Sequence, residues 1–266
     1  MQGKATVIIT ATIQSYMNRF LAILFLFFGV FLNAQKPLLN PRYHASLWEV
    51  NLSYKVATPM GDLALRYGFI NGAGLDLYYK SKKNYLIGVN SNLFFGRNVH
   101  GVDYVNIFKD KNGYVFSDDG TPVFVSASMR GSEILGTFGK LFPVFTKTPQ
   151  LALTAQIGVG FLQHKYLFSA PGAMQFNKVY LRGYDRLSNG FALSQQLGLS
   201  NLGLKRLINF NIGIEFTEAF TQNRRYYDYG TGGVDTKKYL DIIAALKCSW
   251  VLPIKANDKS EPVYFK

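Results

Sequence analysis

Trp48-Glu49-Val50-Asn51-Leu52-Ser53-Tyr54-Lys55-Val56 is the stretch from which the fold is read. Every even position is large and apolar, and every odd position is polar. Successive side chains of a strand point to opposite faces, so this is a strand with one apolar and one polar side. The same alternation recurs. Leu75, Leu77 and Tyr79 alternate with Gly74, Asp76 and Tyr78, and Tyr85–Phe95 alternates around Gly88, Asn90 and Asn92. Leu151–Phe161, Phe191–Leu199, Ile208–Phe216 and Leu240–Leu252 follow the pattern. An eighth strand is expected near Phe124–Lys140, where the alternation slips at Gly131-Ser132-Glu133 and suggests a bulge.

The connections alternate too. Ser81–Asn84, Leu141–Gln150 and Asn201–Arg206 are short to medium, whereas Thr58–Phe69, Arg97–Pro122, Tyr166–Asn189 and Gln222–Lys238 are long. A transmembrane antiparallel up-and-down β-barrel of about eight strands has this signature, with long outer loops, short periplasmic turns and both termini in the periplasm. A soluble barrel turns its apolar face inward instead. The polar face here decides between them. Asn51, Ser53, Asn90, Asn92, Thr154, Gln156, Ser194, Gln196, Asn209 and Asn211 make it rich in amides and hydroxyls and poor in Lys and Glu, as a packed lumen would be. Trp48, Tyr54, Tyr85, Phe95, Phe216 and Trp250 are read as strand-end residues of aromatic girdles.

Composition agrees. Of 266 residues, 17% are charged and 15% aromatic, which excludes a disordered chain or a charged coiled coil. The single cysteine, Cys248, excludes an internal disulfide and cysteine-rich metal centres, and reads as a small apolar strand residue rather than a reactive thiol. Met17-Asn18-Arg19 precedes the uncharged run Phe20–Leu32, which ends in Asn33-Ala34-Gln35. That is a secretory signal peptide, too short to span a membrane, with cleavage expected between Ala34 and Gln35 and true initiation at Met17. The expected organisation is extension and signal at 1–34, a periplasmic segment at 35–46, the barrel at 47–253 and a periplasmic tail at 254–266. The formal charge is +13, and without Lys4 and Arg19 it is +11. For an exported chain this favours anionic lipid and lipopolysaccharide phosphates as partners, not nucleic acid.

Several motifs together resemble a family of Bacteroidota outer-membrane β-barrels of unassigned function. They are Pro59-Met60-Gly61-Asp62-Leu63, Lys80-Ser81-Lys82, Gly139–Val144, Gly160–Lys165 and Gly183–Gln195, along with the Asn33-Ala34-Gln35 signal end. The resemblance implies an outer-membrane barrel and brings no catalytic residues. Thirteen residues follow Pro253, a departure from the terminal strand aromatic on which outer-membrane barrels often end.

No metal spacing joins His44, His100 and His164, and Asp110-Lys111-Asn112-Gly113 lacks the acids of a calcium loop. No cofactor is expected. Glu49, Lys55, Asp76, Glu215, Asp241 and Lys247 share the polar face and form either a gated polar path or a plug of paired charges. Arg182, Tyr184, Asp185 and Arg186 of the third long loop, with Arg224, Arg225, Tyr226, Tyr227 and Tyr229 of the fourth, form either a partner surface or a packed cap. The leading expectation is a non-enzymatic barrel that binds protein partners in an envelope complex. A solute channel is second. An outer-membrane lipid-modifying or proteolytic enzyme using His100, Asp103, His164 or Asp185 is third.

Overall fold

The computed structural model describes residues 46–101, 106, 109–117, 119–143, 151–169, 181–202 and 209–255. The signal segment with Ala34 and Gln35, nearly all of the 35–46 segment, Asp103 and residues 256–266 of the tail lie outside the described residues.

Eight long strands, β1 (Leu47–Gly61), β2 (Ile70–Lys80), β3 (Tyr85–Gly96), β6 (Ser126–Phe142), β7 (Leu151–Ser169), β8 (Ser188–Asn201), β9 (Phe210–Asn223) and β10 (Lys238–Lys255), close into an antiparallel ring. The two-residue strands β4 (Val115–Phe116) and β5 (Pro122–Val123) form a small hairpin within the loop after β3. Every alternating stretch read from the sequence is a barrel strand. Several run further towards the long loops than the alternation indicated, as where β7 continues to Ser169. Their polar residues there leave the apolar pattern while the ladder of backbone hydrogen bonds continues.

The register sets the barrel's dimensions. Leu47 pairs with Lys80, Lys80 with Leu86, Leu86 with Gly139, Gly139 with Gln156 and Gln156 with Gln196. Gln196 pairs with Glu215, Glu215 with Ala245 and Ala245 with Ala57, so one circuit returns ten residues further along β1. Eight strands with that stagger tilt by about 40° and lie about 8 Å from the barrel axis, given ~3.3 Å per residue and ~4.8 Å between strands. Side chains meet across a space of that width.

The expected bulge at Gly131-Ser132-Glu133 is absent. These residues pair without interruption with Phe94, Leu93 and Asn92 on one side and His164, Gln163 and Leu162 on the other. The alternation slips because the chemistry of the faces changes: Leu135 points inward while Arg130 and Ser132 point outward.

Leu52, Leu75, Ile87, Ile134, Ile157, Val159, Ile214 and Leu246 are exposed on the outside, an apolar wall that suits lipid and is interrupted by Ser91, Gln195 and Glu218. Cys248 lies exposed on this wall, not buried. At a 40° tilt each residue gains about 2.5 Å of height. Trp48, Tyr79, Tyr85, Phe210 and Trp250 then form a band near the short turns, with Trp48 and Tyr79 rings 5.3 Å apart. Phe95, Phe161, Phe191 and Phe220 form a second band towards the long loops. Phe210 and Phe220 share a strand ten residues apart, so the bands are separated by about 25 Å, the height of a barrel's apolar belt. Tyr54 and Phe216, expected at strand ends, sit mid-strand, and the Tyr54 hydroxyl is satisfied by Asn71 at 3.0 Å.

Candidate functional site

The inward face is layered, which the amide-rich sequence pattern did not disclose. Nearest the short turns, Tyr78, Leu86, Leu141, Ala152, Leu202 and Val251 form an apolar floor. Glu49 and Lys80 lie at this level on adjacent strands and interact electrostatically. The next layer is a hydrogen-bonded amide and hydroxyl net. Tyr78 donates to Gln156 at 3.0 Å, Gln196 to Asn211 at 3.1 Å and Asn211 to Ser200 at 2.6 Å, with Thr154 and Ser200 2.6 Å apart. The enclosed space left among these residues is about 10 Å³, room for one water at most.

Above them lies the charge layer. Lys55 and Lys247 are directly opposite on β1 and β10, an arrangement that repels unless an anion intervenes. Glu215 supplies that anion, in contact with Lys55 and 3.6 Å from Lys247. Lys55 Nζ also lies 3.0 Å from Glu133 Oε1, and Lys247 Nζ 2.9 Å from Asp76 Oδ2. Asn92 donates to Glu133 at 2.9 Å, and the Lys55 ammonium sits 5.5 Å from the Phe94 ring centroid. All five charged side chains are essentially buried. Of the six expected lumen charges, Lys55, Asp76, Glu215 and Lys247 meet here, whereas Glu49 belongs to the floor. The sequence reading missed Glu133 by assigning it to a bulge. Counting in twos from Leu135 and Thr137 would have put it on the inward face.

Asp241 is corrected as well. It lies beyond the charge layer, 2.9 Å from His164 Nε2, and accepts a hydrogen bond from Thr221. His164 Nδ1 is 3.3 Å from the Tyr67 hydroxyl, and the Tyr67 ring packs edge-on to it at 5.5 Å. Leu63, Tyr67, Ile70, Met129, Leu162, Tyr166 and Phe168 pack around this group, and His164 is fully buried. The 3-10 turn Asp62–Leu65, which carries Leu63, thus helps to close the loop end of the lumen.

The loops beyond are braced. Arg225 grips Asp185 through two contacts, one of them Nε to Oδ1 at 2.7 Å, and Arg186 Nε donates to Asp228 at 2.8 Å. Each pair joins the loop after β7 to the loop after β9. A backbone bond from Tyr229 N to Gly183 O joins the same two loops, and one from Tyr166 N to Asp185 O ties the first of them to β7. Tyr184 packs against Tyr229 with tilted rings 4.6 Å apart, and Tyr229 meets Tyr227 at 5.2 Å. The hydrogen-bonded Asp185 carboxylate raises the Arg225 guanidinium further above its usual range, and burial raises the Tyr184 phenol. Arg66, not singled out by sequence, lies 4.4 Å over the Tyr239 ring and donates to Ser188 at 2.9 Å. Asp185, Arg186, Arg225 and Tyr184 are therefore committed to the cap. Arg182, Arg224, Tyr226, Tyr227 and Tyr229 face outward, Tyr226 being 91% exposed. His100, exposed in the second long loop, has its N held by the Arg66 carbonyl, and its own carbonyl accepts from the Tyr166 hydroxyl at 3.1 Å.

No family model matches the chain, and no curated protein matches it. Among solved structures, the Neisserial surface protein A is 11% identical with a TM-score of 0.42, covering 79% of this chain and 97% of that one. Ail, the attachment invasion locus protein of Yersinia pestis, is 12% identical with a TM-score of 0.40, covering 78% and 99%. The E. coli outer membrane protein W is 14% identical with a TM-score of 0.33, covering 78% and 98%.

Proposed function

We propose that the protein is a non-enzymatic outer-membrane β-barrel with a plugged lumen, acting as a structural or accessory subunit that offers its outer loops to another envelope component, as in an assembly or secretion complex. The observation that carries this reading is the filled interior. Two lysines and three carboxylates are paired across the barrel between an apolar floor and an apolar, aromatic upper layer. A buried network of that kind supports a plug rather than a path, because an ion would have to displace paired charges where the remaining gap is only about 10 Å³.

The all-long-loops end, the lipid-compatible wall and the expected signal peptide support an outer-membrane location with both termini periplasmic. Kinship with Bacteroidota barrels is part of this reading and rests on the sequence motifs. The braced loops support recognition, since Tyr and Arg held on a rigid frame lose little entropy on binding.

The test is isolation of tagged full-length protein in mild detergent, with stoichiometric partners identified for the native chain and for Tyr226→Ala/Tyr227→Ala/Arg224→Ala. A partner held by the native loops and lost from the triple variant is expected. A clean monomer in both would overturn the reading. Planar bilayers separate the channel alternative: stepwise conductance would refute the plug. The enzyme alternative is tested by the lipid A profile and barrel proteolysis of a His164→Ala strain, both expected unchanged.

A further inference from the structure

The outward face carries one arrangement that neither the plug nor the loop cap explains. Arg130 on β6 and Lys165 on β7 are direct cross-strand partners, and both point outward. Like charges directly opposite each other destabilise a sheet. Among the described residues neither has an acidic partner; the Arg130 guanidinium donates to its neighbour's carbonyl, Met129 O, at 2.9 Å. On the next strands the cationic edge continues. Asn189 donates to Gln163 at 3.5 Å, and Arg224 Nε donates to Asn189 Oδ1 at 2.7 Å. Two strand cations and Arg224, the first residue past β9, thus flank an amide pair on β7 and β8.

Their height is specific. Followed through the register and tilt, Arg130 and Lys165 stand about 4 Å and 7 Å further out along the barrel axis than the mean level of the upper aromatic band. The headgroup layer of a bilayer is roughly 5–8 Å thick beyond its hydrocarbon edge. Arg130 and Lys165 are therefore level with lipid phosphates, on the side of the barrel that lipids touch, with Arg224 at the loop edge above them.

We propose that Arg130 and Lys165 form a binding site for a lipid-borne phosphate of the outer leaflet, with Gln163, Asn189 and Arg224 along its edge. One phosphate between the two cations turns their repulsion into two charge-assisted contacts, the guanidinium supplying paired N–H donors and the ammonium a point charge. The acyl chains of the same lipid then lie on the wall below, along Phe161 and Ile134. The site rests on the long loops facing outward, and protease shaving of intact cells checks that orientation separately from binding.

Native mass spectrometry of the full-length barrel in detergent tests the site. The probes are lipopolysaccharide with intact lipid A phosphates, the same lipid after enzymatic dephosphorylation, and inorganic phosphate as competitor. Native protein is expected to bind the phosphorylated lipid at least tenfold more tightly than the dephosphorylated lipid, without displacement by millimolar inorganic phosphate. Arg130→Gln/Lys165→Gln is expected to lose most of that preference while keeping its boiled-versus-unboiled gel shift. Equal binding of both lipids, an unaltered preference in the double variant, or displacement by free phosphate would overturn the assignment. Should the double variant fail to fold, the single variants Arg130→Gln and Lys165→Gln take its place, each expected to lose part of the preference, and an unaltered preference in both would overturn the assignment.

Discussion

Lys55→Met is the sharpest test of the lumen. Lys55 bridges Glu133 and Glu215, and all three side chains are at most 2% exposed. Removing the ammonium leaves Asp76, Glu133 and Glu215 with Lys247 alone. Lys247 reaches Asp76 at 2.9 Å and Glu215 at 3.6 Å, so Glu133 keeps only its hydrogen bond from Asn92. Breaking one partner out of a buried ion pair costs about 3–5 kcal/mol, because the remaining charge is left uncompensated. At about 1.4 kcal/mol per tenfold, the folding equilibrium should fall by roughly two to three and a half powers of ten. Urea unfolding of detergent-folded protein, followed by the gel shift between folded and unfolded forms, measures this directly. The companion variant Lys55→Met/Glu133→Gln should recover much of the loss, since it removes the stranded charge together with its partner. A coupling of more than about 1 kcal/mol between the two sites is expected. A Lys55→Met protein within about 1 kcal/mol of the native chain would refute the paired plug.

Three other outcomes follow from the same geometry. Asp185→Asn removes the carboxylate that joins the two loops through Arg225; this partly exposed pair is worth about 1 kcal/mol or less, so limited proteolysis should cut the 181–187 region faster while the barrel keeps its gel shift. Unchanged cleavage would show that the loops do not depend on the pair. Gly190→Ala would set a Cβ against the Phe220 carbonyl of the neighbouring strand, with no flexible side chain to yield, and should destabilise the barrel by about 1–3 kcal/mol in the same urea assay. A neutral result would mean that β8 can move away from β9 at little cost. Cys248, exposed on the lipid-facing wall, should resist a water-soluble maleimide in vesicles and react fully once the protein is unfolded. Rapid labelling of the folded form would contradict the assignment of that wall to lipid.

Period-two alternation determined the strands, because a strand with one lipid face and one lumen face must repeat with the pleat. Trp48–Val56 and Leu240–Leu252 are legible for that reason alone, and so is the rhythm of long and short connections. The alternation failed where polar residues face outward, at Arg130, Ser132, Gln163 and Lys165, since near the loops the outside meets headgroups and water instead of hydrocarbon. What tertiary structure decided was which residues share a level. The circuit that starts at Leu47 returns at Ala57, so residues far apart in sequence meet at one height through a stagger that no local pattern encodes. Lys55, Glu133, Glu215, Lys247 and Asp76 come from five different strands, and only that stagger joins them while moving Asp241 to a separate layer with His164. The loop arginines follow the same rule. Their abundance was visible in the sequence, but the closing of the barrel brought Asp185 to Arg225 and Asp228 to Arg186, leaving Arg182 and Arg224 facing outward.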